Sequence, residues 1–227
     1  NESASIGANM NYDFSSKFSM RSHYLYNRVN NILDQQSYVE NISDAFRYDN
    51  QDSLYADKTN ASHQLNTRFN YKVNPLTELV FQNNFNFRDL DNLRVANNEY
   101  YKEGEFLGYA TSDFSSVSDS WGVDSKTWIK RKFVKKGRSI IGTFTYKKDT
   151  NEKLDGINNS NRVQGNFMDV IQNQTYDNVL NQISFDVNIT EPLSKKVFFG
   201  LSYNYGRSKE TPERLYYDID NGTEVLN

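Results

Sequence analysis

The chain has 227 residues and no cysteine. A disulfide framework, a thiol nucleophile and a thiolate metal site are therefore excluded. Imidazole is nearly absent too, with His23 and His63 the only histidines. No stretch approaches the ~20 consecutive apolar residues that a membrane-spanning helix needs. Hydrophobic residues make up only 37% and the mean hydropathy is −0.81, poor in aliphatics for a soluble α/β enzyme. A basic excess is also missing: 26 Lys and Arg stand against 29 Asp and Glu, for a net charge of −3 and a pI of about 5.5. Nothing there attracts nucleic acid. There is no Gly-rich phosphate loop, no HExxH and no Asp-rich calcium loop, so no cofactor is implied. No signal peptide opens the chain, which begins at Asn1 rather than at a methionine. Its last segment, Asp218 to Asn227, reads as an unfinished loop. The chain is expected to be an excerpt of a longer mature protein.

What is present is aromatic. Sixteen Tyr, fifteen Phe and two Trp supply 15% of the residues, an enrichment that disorder does not carry. Four aromatic pairs recur: Tyr24 with Tyr26, Phe85 with Phe87, Phe144 with Tyr146, and Tyr203 with Tyr205. Their first members are separated by 61, 59 and 59 residues. A fixed period signals one structural unit used repeatedly. Each pair closes a run of alternating apolar and polar residues. Each is followed by charge, at Arg28, Arg88, Lys147 with Lys148, and Arg207. Aromatic rings at the end of a half-apolar strand, just before polar sequence, are what a membrane–water interface selects.

The alternation predicts eight strands in four hairpins. Their approximate bounds are Ser5 to Phe14, Phe18 to Arg28, Ala61 to Val73, Glu78 to Asp89, Ser118 to Phe133, Arg138 to Lys148, Tyr176 to Thr190, and Lys196 to Ser208. Short turns join them at Ser15-Ser16-Lys17, Asn74-Pro75-Leu76-Thr77, Lys135-Lys136-Gly137 and Glu191-Pro192-Leu193-Ser194. Three long polar stretches, at 29–60, 90–117 and 149–174, read as loops. Short turns on one side and long loops on the other are the outer-membrane pattern, with turns periplasmic and loops extracellular. The fold class expected is therefore all-β: an antiparallel transmembrane β-barrel segment, residues 1–227 forming part of one barrel domain. A capping box at Ser37 and Glu40, with Val39, Ile42 and Phe46 at helical spacing, makes Tyr38 to Phe46 the best helix candidate. An irregular loop is the competing reading.

The candidate residues follow from period two. Tyr24, Tyr26, Phe85, Phe87, Phe144, Tyr146, Tyr203 and Tyr205 would form an extracellular aromatic girdle, all at one height. Tyr12, Phe14, Phe18, Tyr71 and Phe199 would form the periplasmic one. Asn83 interrupts the apolar face. On the other face Asp13, Arg21, Arg68, Lys72, Arg88, Asp124, Lys126 and Asp186 would line a hydrated lumen. They could hold a plug or steer a solute, or simply form solvated cross-strand pairs. In the long stretches Tyr100, Tyr101, Phe106, Tyr109 and Phe114 could stack sugars or peptides, or pack on their own rim. His23 and His63 face opposite ways on different strands. No catalytic set can be assembled around either, and no enzyme is expected. The long charged groups on the inner face would need partners if eight strands closed on themselves. The first and eighth strands are thus expected not to pair.

The segment from Ser184 to Tyr205 adds a resemblance. Glu191-Pro192-Leu193 followed by Leu201-Ser202-Tyr203-Asn204-Tyr205 resembles the strand–turn–strand text of the Bacteroidota TonB-dependent receptor-like outer-membrane β-barrel family. Ile189-Thr190 stands where members carry an aromatic before the Thr. The resemblance implies a 22-stranded barrel with an N-terminal plug in the outer membrane. It implies solute uptake as the function, with membrane lipid, the protein's own plug domain and TonB as partners, and it admits a surface lipoprotein. No ligand-binding residue carries over. Two other classes stay open: a self-contained eight-stranded barrel with a structural or adhesive role, and a soluble β-sheet binding module.

Overall fold

A computed structural model describes residues 1–42, 47–220 and 223–226, and within these the chain forms a single antiparallel sheet. Its strands are β1 (Glu2–Asp13), β2 (Phe18–Ile42), β3 (Arg47–Asn74), β4 (Thr77–Lys102), β5 (Glu105–Lys132), β6 (Ser139–Val163), β7 (Asn166–Pro192), β8 (Phe198–Asp220) and β9 (Thr223–Leu226). Their spatial order is their sequence order, and no helix occurs among the described residues. β1 pairs only with β2, and β8 pairs with β7 and β9, so the sheet is open. The expectation that the first and eighth strands stay apart holds.

Two expectations need correction. Strands β2 to β8 run 23 to 28 residues, about twice the length the sequence suggested, and there are nine strands rather than eight. The three polar stretches are not loops. They are the upper arms of hairpins, paired as far as Ile42 and Arg47 on β2–β3 and, with one register shift at Tyr100/Tyr101, up to the turns of β4–β5 and β6–β7. β4 and β5 meet at Glu103-Gly104, with φ of 53° and 86°. β6 and β7 meet at Gln164-Gly165, with φ of 51° and 81°. Two consecutive residues in the left-handed region make the two-residue hairpin turn whose twist matches the strands, and glycine at its second position carries no Cβ penalty. The helix candidate also fails as far as it is described. Tyr38 to Ile42 is strand, with Val39 opposite Asn50; 43–46 lies outside the described residues.

The short-turn ends repeat one device. The Ser15 hydroxyl accepts the backbone N–H groups of Lys17 and Phe18 at 3.2 and 3.1 Å. Ser194 does the same for Lys196 and Val197 at 3.3 and 3.2 Å. Asn74 accepts the N–H of Leu76 at 2.9 Å. These are side-chain turns that satisfy the groups a tight reversal leaves unpaired. Val197 sits in its turn rather than in β8, a shift of two residues from the expected start.

Among the described residues there is no second layer. A sheet normally hides one face against another element. Here, among the described residues, Val80 is the only buried large apolar side chain, while Phe14, Phe87, Phe144, Phe185 and Tyr203 are all exposed. The sheet has no protein core.

Candidate functional site

The site is the pair of sheet faces, and the register defines both. Between the short turns and the arms the ladder carries no bulge; the only shifts are at Lys72/Asn74 and Tyr100/Tyr101. Side-chain parity is therefore preserved from strand to strand. One cross-strand row runs Tyr12, Met20, Phe69, Phe81, Thr127, Phe144, Phe185, Tyr205. The row below it runs Phe18, Tyr71, Leu79, Ile129, Gly142, Val187, Tyr203. Two rows higher than the first runs Ala8, Tyr24, Leu65, Phe85, Val123. These rows share one face, which is apolar and aromatic across eight strands.

The apolar band crosses the sheet obliquely. The row through Tyr24 meets Phe85 directly on β4. On β6 it meets Lys148, four positions past Phe144 toward the arm. The row through Phe144 meets Tyr205 on β8, two positions past Tyr203. From β2 to β8 the pairs step down six positions over six strands, in unequal steps of none, four and two, a mean of one per strand. With ~3.3 Å per residue and ~4.8 Å per strand, a line through them is inclined about 35° to the rows. The girdle pairs do not share one row. They descend across the sheet, level from β2 to β4 and stepping down from β4 to β8.

Rings pack along both edges of the band. At the lower edge Phe14 stacks on Phe18 at 5.0 Å, Tyr12 meets Phe14 edge-on at 4.7 Å, and Phe18 faces Phe69 and Tyr71 at 6.2 and 6.3 Å. At the upper edge the Tyr24 hydroxyl lies 2.7 Å from Nδ1 of His63, whose ring lies 4.7 Å from that of Tyr26. Lys148 Nζ sits 5.1 Å above the Trp121 ring. The interruption at Asn83 has a local answer. Asn83 donates to Thr67 Oγ1 at 3.4 Å and accepts from Ser125 Oγ at 2.6 Å, both on the same apolar face. A polar row of three is thereby closed on itself.

The other face is polar. Asp13, Arg21, Arg68, Lys72, Arg88, Asp124, Lys126 and Asp186 all fall on it by parity. Arg88 donates to Asn60 at 2.7 Å, Asn204 donates to Asp186, and Arg68 lies 5.4 Å above the Trp128 ring. Arg21 and Arg68 stand directly opposite one another. None of Arg21, Arg68 and Lys126 has a carboxylate oxygen within salt-bridge distance among the described residues. His23 lies on this face with its Nδ1 2.6 Å from Asn9 Oδ1, away from His63.

Above the band the sequence signal fades and charge takes over. Asp89, Asp119, Glu152, Asp177 and Glu213 stand in one row on the apolar side, each opposite the next. Like charges in direct opposition repel, and on β4 and β5 this row directly follows the last aromatics of the band, Phe87 and Trp121. It was not singled out from the sequence, because only the register reveals it. The arm aromatics do not gather into one cluster: Tyr101 and Phe106 meet edge-on at 5.6 Å near the β4–β5 turn, while Tyr100 and Phe114 fall on the opposite face. At the other end Glu191 accepts from Arg138 Nε and Lys135 Nζ, each at 2.5 Å. Those two cations hold its carboxyl down from 4.5 to about 2, by hydrogen bonding first and by charge second. In the arms Arg162 pairs with Asp169 at 2.5 Å and lowers that carboxyl by its hydrogen bond.

No family model matches the chain, and no curated protein matches it. Among solved structures, the siderophore receptor PiuA from Acinetobacter baumannii aligns over 96% of this chain and 47% of its own, with 9% identity and a TM-score of 0.18. The ferric-catecholate import receptor Fiu from E. coli K12 aligns over 95% of this chain and 47% of its own, with 6% identity and a TM-score of 0.16. The chain spans about half the length of each. TM-scores this low carry no structural argument, and the functional reading rests on the chain's own register.

Proposed function

We propose that this chain is part of the wall of an outer-membrane β-barrel, belonging to a receptor that takes up a solute in a TonB-dependent manner. One observation carries the membrane reading: the oblique, bulge-free apolar band on one face of a sheet with no second layer. On β2 the band runs from Phe18 to Tyr26. At ~3.4 Å per residue and a tilt of about 35° that is about 22 Å along the membrane normal, near the ~25 Å of outer-membrane barrels. The tilt falls within the range that closing a barrel requires. The aromatic edges would sit at the two interfaces, the polar face would line water, and the long arms would project outside the cell.

The transport reading draws on the resemblance at Glu191-Pro192-Leu193 and on the polar face. Its partners are outer-membrane lipid, the plug domain and TonB of the complete protein, and a surface lipoprotein. It gives the chain no catalytic role, no cofactor and no nucleic-acid partner. The two rival classes fit less well. A self-contained eight-stranded barrel needs β1 against β8, and these do not pair. A soluble binding module would leave the aromatic band in water with nothing to cover it.

The absence of cysteine supplies the test. Single cysteines introduced at 79–87 along β4 of the full-length protein should alternate in membranes. Positions 79, 81, 85 and 87 should react only with a lipid-soluble thiol reagent, and positions 82, 84 and 86 with a water-soluble one, position 80 being buried. Uniform labelling by the water-soluble reagent, or a protein recovered without detergent, would overturn the proposal.

A further inference from the structure

From the polar face we infer an oxyanion site centred on Arg21 and Arg68 with Lys126 beside them, taking a small solute that presents carboxylate or phosphate oxygens. The inference rests on the transport reading and narrows the class of solute. The three cations occupy one cross-strand row, Asn11, Arg21, Arg68, Gln82, Lys126. Directly opposed like charges such as Arg21 and Arg68 cost stability, and no carboxylate among the described residues neutralises them. Asp13 and Asp124 share the face but lie outside salt-bridge distance of all three. Lys135, Arg138, Lys147, Lys153 and Arg162 hold carboxylates; what sets this row apart is that Arg21 and Arg68 form the one direct opposition of two cations in the ladder among the described residues.

The surroundings suit an anion. A hollow of about 330 Å³ includes Arg21 and Arg68 together with His23, Asn66, Gln82 and Asn84 in its lining. That is the lower end of small-ligand cavities. The side-chain amides bring neutral donors. The indole of Trp128 lies under both Arg68 and Lys126, at 5.4 and 5.9 Å, and Arg68 Nε donates to Asn70 at 3.1 Å. The Arg68 guanidinium is thus held from below, with its terminal nitrogens free to bind an oxyanion as a fork. The hollow opens onto the polar face, where a solute moving along that face can reach it.

The test uses the full-length protein in detergent, with citrate and inorganic pyrophosphate as calorimetric probes. Both should bind, more weakly as salt rises. Arg68→Gln and Arg21→Gln should each weaken binding at least about tenfold, the loss of one charge-assisted hydrogen bond. Arg68→Lys should restore part of it. Lys209→Gln, the same change of charge on the apolar side, should leave binding unchanged, and heat-shifted gel mobility should confirm that each variant folds. Equal losses in Lys209→Gln would mean non-specific charge and would overturn the site. If neither probe binds because another segment of the protein covers the row, the assignment to a solute falls. Either failure leaves the membrane reading standing, because that reading is scored separately by the cysteine labelling pattern.

Discussion

Replacing Phe81 by arginine separates a membrane wall from a water-exposed sheet. Phe81 lies in the apolar row between Phe69 and Thr127, and its ring is 41% exposed in the isolated chain. If that exposure were to water, the substitution would fall within about 0.5 kcal/mol of neutral, as surface changes do. If the face meets lipid, Phe81 sits two positions from the middle of the β4 band, about 5–6 Å along the normal. A cation near the bilayer midplane of a barrel costs about 2–4 kcal/mol, falling to about 0–1 at the interface. The expected cost is therefore about 2–3 kcal/mol. The control is three residues away. Asn84 is on the polar face opposite Asp124, and Asn84→Arg should be neutral or slightly stabilising. Denaturant unfolding of the full-length protein from lipid vesicles measures both. The reasoning is refuted if Phe81→Arg lies within about 0.5 kcal/mol of the wild type, or if Asn84→Arg is as damaging.

Other consequences can be measured independently. Glu191, held at about 2 by Arg138 and Lys135, has a folded-state value below its unfolded one. It therefore supports the β5–β6 and β7–β8 turns above pH 4.5, and the support is lost as pH falls through about 2; a carboxyl carbon titration by NMR with a midpoint near the ordinary 4.5 would contradict the cluster. Ser125→Ala leaves the Asn83 carbonyl without its donor and should cost about 0.6–2 kcal/mol, whereas Thr67→Val, Asn83→Leu and Ser125→Ala together should be close to neutral, as a double-mutant series can show. Gly104→Ala meets no neighbour within 4 Å, so its cost is conformational, about 1 kcal/mol for a left-handed residue. It should raise amide exchange at the β4–β5 tip without affecting the band.

The faces were legible in the sequence and the arms were not, for one physical reason. Hydropathy contrast reveals a strand only where its two faces meet different surroundings. Ile6, Met10 and Tyr12 against Asn9, Asn11 and Asp13 carry that contrast. Asp49 to Ser53 does not, being polar at every position, although it pairs with Gln36 to Glu40 on one side and Asn97 to Tyr101 on the other. The arm tips lacked the strongest hairpin signals as well, since Glu103-Gly104 and Gln164-Gly165 are weaker texts than Asn-Gly or Asp-Gly. The helical spacing of Val39 and Ile42 lost to a ladder that continues from Phe18 without a break. The descent of the aromatic pairs across the sheet needed the register, because a period near 60 fixes the repeat but not the slope. The unpaired arginine row was half legible: Arg21 and Arg68 could be placed on the polar face, but their direct opposition could not.

The nearest-neighbour order of the sheet has a kinetic consequence. Among the described residues, no two partners in the strand ladder lie further apart in sequence than Gly108 and Val163, 55 positions. Each strand finds its partner in the segment just made, and the entropy of closing each loop grows only with the logarithm of its length. Zipping should therefore proceed hairpin by hairpin, each new strand templated on the one before. In a ring, only the seam joining the first strand to the last must unite distant parts of the chain. That seam is absent from the nine strands here. The slow step of assembly is expected where an edge such as that of β1 waits for its second neighbour, and substitutions inside the hairpins should alter stability more than the rate of closure.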